Sequence, residues 1–262
     1  MPVTALSTVY GPVKSWRLGR SLGIDLLYES SICSFRCVYC QLGKIQVPTQ
    51  DRRVWVPTAQ VLADLERADW QSADVVTFSG NGEPTLALNL GECIRGVKAR
   101  TGKPVVVLTN ATLLGDPAVR ADLAAADRVY VKLDAASDKM LRIVDHPVEG
   151  VTLDGILDGI KAFRAEYSGY LAIQTMVMPM NVGEVDALCA LYRDIVPDEI
   201  QLNTPLRPVP RAWYPESRGN HEAPAPVPES HLQVLSRQEA DAVEARVRDA
   251  TGIRVVSVYQ PA

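Results

Sequence analysis

Three of the chain's five cysteines fall within eight residues, Cys33-Ser34-Phe35-Arg36-Cys37-Val38-Tyr39-Cys40, while Cys93 and Cys189 lie far downstream. Thiolates are soft ligands that suit iron-sulfur clusters, zinc or Cu(I), and in a loop three of them can converge on one centre. A closed structural zinc site and a ferredoxin-type cluster each take four protein ligands. Three therefore leave one coordination position for something else. Two plainer readings compete: small buried side chains, or a zinc knuckle completed by a distant residue. None of His146, His221 and His231 falls at a zinc-finger spacing, and three thiols in eight residues are hard to obtain by packing alone. The spacing favours a cluster with one iron left open.

Such a loop needs a framework. Ser21–Tyr28, with Ile24, Leu26 and Leu27, reads as a short strand that delivers the cysteines, after a turn-rich lead-in that shows no period. Pro57-Thr58 opens a helix with Val61, Leu62 and Leu65 on one face. The apolar run 74–78, bounded by turn residues, suits a buried parallel strand and ends in Ser79-Gly80-Asn81-Gly82-Glu83-Pro84-Thr85. A helix over 88–99 leads to a strand over 104–108, which finishes at Asn110. Asp116-Pro117 is a cap followed by proline at the first helical position. The strand 129–133 then carries Lys132 and leads to Asp134. Leu153, Ile156, Leu157, Ile160 and Phe163 mark a helix face, the strand 171–177 carries Gln174, and a helix over 184–193 precedes a strand over 199–203.

Six consecutive β/α units imply parallel strands with right-handed crossovers. A closed barrel, a partly open barrel and a doubly wound sheet all satisfy the pattern. In each of them ligands bind beyond the carboxyl ends of the strands, where the polar and glycine-rich punctuation lies. Six prolines from Pro208 to Pro228 point to an extended surface crossing. A final helix then opens at the capping box Ser236-Arg237-Gln238-Glu239. This tail, with a last strand near 253–258, is expected to belong to the same domain and to cover the mouth.

With 262 residues, 47% of them hydrophobic, the chain can bury one large core, so 1–262 reads as a single domain. A net charge of -4 gives no global basic field for nucleic acid. The odd cysteine count opposes a secreted disulfide framework. No segment approaches the ~18 apolar residues of a membrane span, and a reducing cytoplasm is the expected setting. Lys14, Arg17, Arg20, Arg52, Arg53, Arg207 and Arg211 are candidates to hold an anionic substrate at the mouth, against the reading of scattered solvated charge. Cys93 and Cys189 fall in helices and read as core.

Cys33, Cys37 and Cys40 match the Cys-x3-Cys-x2-Cys signature of the radical S-adenosylmethionine superfamily, and Ser79-Gly80-Asn81-Gly82-Glu83 resembles its Gly-Gly-Glu motif after the second strand. The resemblance implies an α/β fold, a partial (βα)6 TIM-type barrel over about 15–208 with an N-terminal lead-in and a C-terminal extension. It implies a 4Fe-4S cluster on the three thiolates, with S-adenosylmethionine on the fourth iron, cleaved to a 5′-deoxyadenosyl radical that abstracts hydrogen from a substrate. The backbone near Gly80 and Gly82 and the Glu83 side chain would receive the methionine ammonium, and Tyr39 would lie near the adenine. Asn110, Lys132, Asp134 and Gln174 are implied for the carboxylate and ribose hydroxyls, against the plainer reading of strand-end polar residues that satisfy loop backbone.

Gly11-Pro12-Val13, 17–23, Cys40-Gln41-Leu42-Gly43 and the Gln201–Pro208 segment resemble a group related to the wyosine-forming tRNA enzymes. That makes a tRNA guanosine the runner-up substrate, although the net charge lends it no support. An electron donor such as a flavodoxin or ferredoxin is the implied partner. A redox sensor with a labile cluster and a zinc-binding interaction module are the alternatives to an enzyme.

Overall fold

The apolar runs bounded by turn residues become strands of one eight-stranded sheet in the computed structural model, which describes residues 7–214 and 227–259. The chain enters through β1 (Val9–Ser15), which turns back into the antiparallel β2 (Gly19–Ile24). A short parallel pair, β3 (Ile32–Cys33) and β4 (Val47–Pro48), brackets the cysteine loop. Alternation follows through α1 (Thr58–Arg67), β5 (Val75–Phe78), α2 (Leu90–Thr101), β6 (Val105–Thr109), α3 (Pro117–Leu123) and β7 (Arg128–Lys132). Two helices, α4 (Asp138–Val144) and α5 (Leu153–Glu166), precede β8 (Tyr170–Met176), and α6 (Val185–Ile195) precedes β9 (Glu199–Asn203). After the pair β10 (Val209–Pro210) and β11 (Glu229–Ser230), the described chain closes with α7 (Arg237–Thr251) and β12 (Val255–Ser257).

The strand order is β1-β2-β5-β6-β7-β8-β9-β12, and every pair after β1·β2 is parallel. β1 and β12 remain edges, so the sheet is a partial barrel rather than a closed one. Alternation along each strand sorts its side chains between two faces. Leu22, Val76, Phe78, Val107, Val131, Ile173 and Ile200 pack under the helices, against stripes such as Val61 and Leu65 of α1 and Ile160 and Phe163 of α5. Val75, Val106, Tyr130 and Ala172 face the other way and cluster with Leu18 of the β1–β2 turn. The expected caps form: Asp116 accepts from Ala118 N, and Ser236 and Glu239 cap each other reciprocally.

Several boundaries differ for physical reasons. The lead-in is a strand, hidden in the sequence because Gly11-Pro12 breaks its register and its alternation. β2 stops at Ile24 because the Asp25 carboxylate turns the chain by accepting from Leu27 N and Tyr28 N at 2.9 and 3.2 Å. α4 is too short to show a period, and Ser137 starts it by accepting from Met140 N. The tail does not cover the mouth with its last helix and strand. Instead α7 packs on α6, held by Arg193 Nη1 on Ala250 O at 2.8 Å, and β12 extends the sheet beside β9. Pro215, Pro224, Pro226 and His221 lie outside the described residues.

Phe163 is fully buried and stacks on Tyr167 with centroids 4.6 Å apart. Phe163→Ala is expected to destabilise the fold by about 3–5 kcal/mol, read as a lower urea midpoint at unchanged slope.

Candidate functional site

The cysteine loop leaves the carboxyl end of β2 and is anchored on three sides. Ile32 N donates to Asn81 O at 2.8 Å, and Glu83 N donates to Ile32 O at 3.0 Å, tying the loop to the turn after β5. Arg36 N and Val38 N donate to Asp145 O and Val144 O at the end of α4, at 2.8 and 2.9 Å. Phe35 is buried in the main core. Where the loop exits, Gly43 has φ 65° and lies so close to the carbonyls of Pro210 and Ala212 that a Cβ would meet both at 2.7 Å.

Cys33, Cys37 and Cys40 are free thiols on a partly buried loop. Burial pushes all three thiols up; Glu83 adds to Cys33, Asp145 adds to Cys37, and Cys40 acts less strongly on both. Loading the loop with metal therefore displaces thiol protons. Among the described residues no three Cys, His, Asp or Glu side chains are arranged to hold one metal ion. A cluster differs from zinc in this respect, because its cysteines bind different irons, whereas zinc gathers its ligands at about 2.3 Å around one ion. Three thiols on one short loop are the donor chemistry that a cluster with one open iron takes.

Beside this loop, Gly80 and Gly82 have φ of 133° and 148°, a region closed to other residues. A Cβ on Gly82 would sit 1.6 Å from Ile32 O, and one on Gly80 would sit 2.6 Å from Asp25 Cγ. Asn81 is buried, its Nδ2 donating to Asp25 Oδ2 and Tyr28 O at 2.8 Å and its Oδ1 accepting from Trp213 Nε1 at 3.3 Å. Glu83 is 2% exposed, and four donors already converge on its carboxylate. Oε1 accepts from Thr85 N, Thr85 Oγ1 and Thr109 Oγ1, and Oε2 from Asn110 N at 2.7 Å. Burial raises the Glu83 carboxyl against the pull of these bonds, and only Oε2 keeps room for another donor.

A second group gathers on the far side of the cysteines. Tyr39 Oη donates to Asp134 Oδ2, Asp134 Oδ1 accepts from Met176 N at 2.6 Å and pairs with Lys132 Nζ at 3.0 Å, and Lys132 Nζ stands 5.1 Å from the Tyr39 ring centre. Asp145, which the sequence did not single out, adds a contact to Tyr39 Oη at 3.4 Å; burial and then Asp134 push its carboxyl well up. Asn110 Nδ2 donates to Ser34 Oγ at 2.9 Å and to Cys33 Sγ at 3.5 Å, so it positions the loop. Gln174 lies beside Lys132 in register on β8, and its Nε2 shares a 3.5 Å contact with Gln201 on β9. Thus the structure brings Tyr39, Gly80, Gly82, Glu83, Asn110, Lys132 and Asp134 around the three thiols, with Gln174 level with Lys132 on the next strand. Asp134 serves the protein's own bonds, and Lys132 is the more accessible of the pair. Asp25 and Asp145 were not legible, because an aspartate in a loop carries no spacing signal. Cys93 packs in α2 against Thr58 and Cys189 is buried in α6, both away from the site.

The family profile described as the Radical SAM superfamily matches residues 29–191. A UPF0026 protein of Synechocystis sp. is 44% identical over 256 residues, covering 96% of each chain. A UPF0026 protein of Methanocaldococcus jannaschii is 32% identical over 210 residues, which is 78% of this chain and 65% of that relative. The structure of Streptococcus suis SuiB bound to S-adenosylmethionine superimposes with a TM-score of 0.59 at 15% identity, covering 88% of this chain and 49% of SuiB. That last likeness is one of fold.

Gly82→Ala is expected to push the cysteine loop away, since the clashing atom is a backbone carbonyl. Iron and sulfide content after reconstitution should fall severalfold, while circular dichroism keeps the helical signal.

Proposed function

The chain belongs to the radical S-adenosylmethionine superfamily and to the UPF0026 family, and on that premise we propose that Cys33, Cys37 and Cys40 hold its 4Fe-4S cluster, with S-adenosylmethionine in the adjoining cradle. The observation that carries this is the loop itself: three free thiols within eight residues, beside a glycine turn that admits no side chain at Gly82. When bound and reduced, the cluster supplies the electron that cleaves the sulfonium to methionine and a 5′-deoxyadenosyl radical.

The residues hold and orient. Gly80 and Gly82 open the backbone of the turn to the methionine ammonium, and Glu83 Oε2 offers it a carboxylate oxygen that Asn110 N already fixes. Lys132, held between Asp134 and the Tyr39 ring, offers its ammonium to the methionine carboxylate. Tyr39 is fixed through its hydroxyl, leaving its ring as a wall for the adenine. Gln174 and Gln201 stand level with Lys132 on the next two strands, where hydrogen abstraction from a substrate on the concave face would take place. A one-electron donor of the flavodoxin or ferredoxin kind completes the system.

Anaerobic reconstitution followed by dithionite reduction tests the reading. Wild type, Cys93→Ala and Cys189→Ala are expected to release 5′-deoxyadenosine, and single alanine variants of Cys33, Cys37 or Cys40 to release none. Product from Cys37→Ala would refute the assignment. A loaded wild-type cluster that never cleaves the cofactor would support a redox sensor, and stoichiometric zinc with failed reconstitution an interaction module.

A further inference from the structure

Of the seven basic residues that could serve an anionic substrate, the fold commits or disperses most. Arg52 is bonded to Thr85 O and Asp122 at 2.8 and 2.6 Å, and Arg53 stacks on Trp55. Lys14, Arg20 and Arg211 are exposed. Arg17 differs from all of them. It sits in the β1–β2 turn, next to Leu18 of the concave-face cluster, yet the groups whose charge it feels are Tyr130 on β7, Glu199 on β9 and Arg207 beyond β9. Leu18 packs among Val75, Val106, Tyr130 and Ala172, which sets the turn that carries Arg17 against the concave face.

There its guanidinium is left without an anion. Nε and Nη1 of Arg17 are buried and have no hydrogen-bond partner, and a stacking contact to Trp16 at 5.1 Å leaves that edge bare. Glu199 attracts it only through space, because its oxygens are bonded to Gln201 Nε2 at 2.8 Å, Tyr170 Oη at 3.1 Å and Arg254 Nε at 3.3 Å. Arg207 brings a second positive charge from the solvent-exposed side. Burial, with Arg207 acting in the same direction, holds the Arg17 guanidinium down to about 10. A buried cationic donor without a partner is strongly unfavourable, and planar guanidinium edges match oxyanions bidentately.

We propose that Arg17 and Arg207 form an oxyanion site on the concave face, which takes the phosphoryl or carboxylate oxygens of the substrate. Only the word substrate rests on the radical-enzyme reading; the anion site stands on the geometry of the sheet. It also sets a direction, since it anchors an acidic end of the ligand in the sheet while the cysteine loop lies at the strand ends.

The test uses the cluster-reconstituted full chain without S-adenosylmethionine or reductant, with sodium pyrophosphate and disodium succinate as phosphoryl and carboxylate probes, against sodium chloride at equal ionic strength. At least one probe is expected to raise the melting temperature saturably, and calorimetry should show about tenfold or weaker binding in Arg17→Met, as for loss of a charged hydrogen bond. Without probe, Arg17→Met should melt no lower than wild type, because an unpaired buried charge has been removed, and Arg207→Gln should also weaken binding. Probe effects equal to those of chloride, or equal affinity in wild type and Arg17→Met, would overturn the site; so would a lower melting temperature of probe-free Arg17→Met. Cluster content and 5′-deoxyadenosine release are measured in parallel. Anion binding without cofactor cleavage keeps this site and removes the reading above, and cleavage without anion binding does the reverse.

Discussion

Two backbone hydrogen bonds, from Ile32 N to Asn81 O and from Glu83 N to Ile32 O, fix the cysteine loop against the turn after β5. The rest of the site depends on them. They require the two backbones to approach so closely that Gly82 cannot carry a side chain, and they place Glu83, in the turn after β5, where its carboxylate reaches the end of β6. Asp134 repeats the device two strands later by joining the end of β7 to Met176 N of β8 and to Tyr39 of the loop. The parallel strands thus end in a chain of carboxylate clamps. Both carboxylates are buried, and each is compensated by donors, as burial of a charge demands.

Much of the framework could be read from residue pattern. The strand 199–203 and the caps at Asp116 and Ser236 were legible because strand parity and capping chemistry are local. One sheet edge was not: β1 was hidden by a bulge. The last strand, near 253–258, was legible, but its pairing with β9, more than fifty positions earlier, was not. α4 is seven residues, too few to show periodicity, yet its end supplies the carbonyls that hold the loop over Arg36 and Val38.

At the site, the residues named by motif were found together, but spacing could not say how each is used. Glu83 and Asp134 were legible as polar strand-end groups; that their oxygens serve mainly internal donors is a property of the packed fold. Asp25, Asp145 and Arg17 carry no local signature, because their surroundings are assembled from segments far apart in sequence. Arg17 was one of seven similar charges until the sheet curled around it.

The three thiols do not share one environment. Cys33 Sγ accepts from Phe35 N at 3.4 Å and from Asn110 Nδ2 at 3.5 Å, and Leu42 N supports Cys40. Cys37 faces the carboxyls of Asp145 and Asp134, and Cys33 also feels that of Glu83. Hydrogen bonds to the sulfurs are a determinant of the reduction potential of an iron-sulfur centre, and nearby acidic groups act against added negative charge. A cluster in this loop would therefore have buried acidic groups on two sides, at Cys33 and at Cys37, with the hydrogen-bond donors gathered at Cys33 and Cys40.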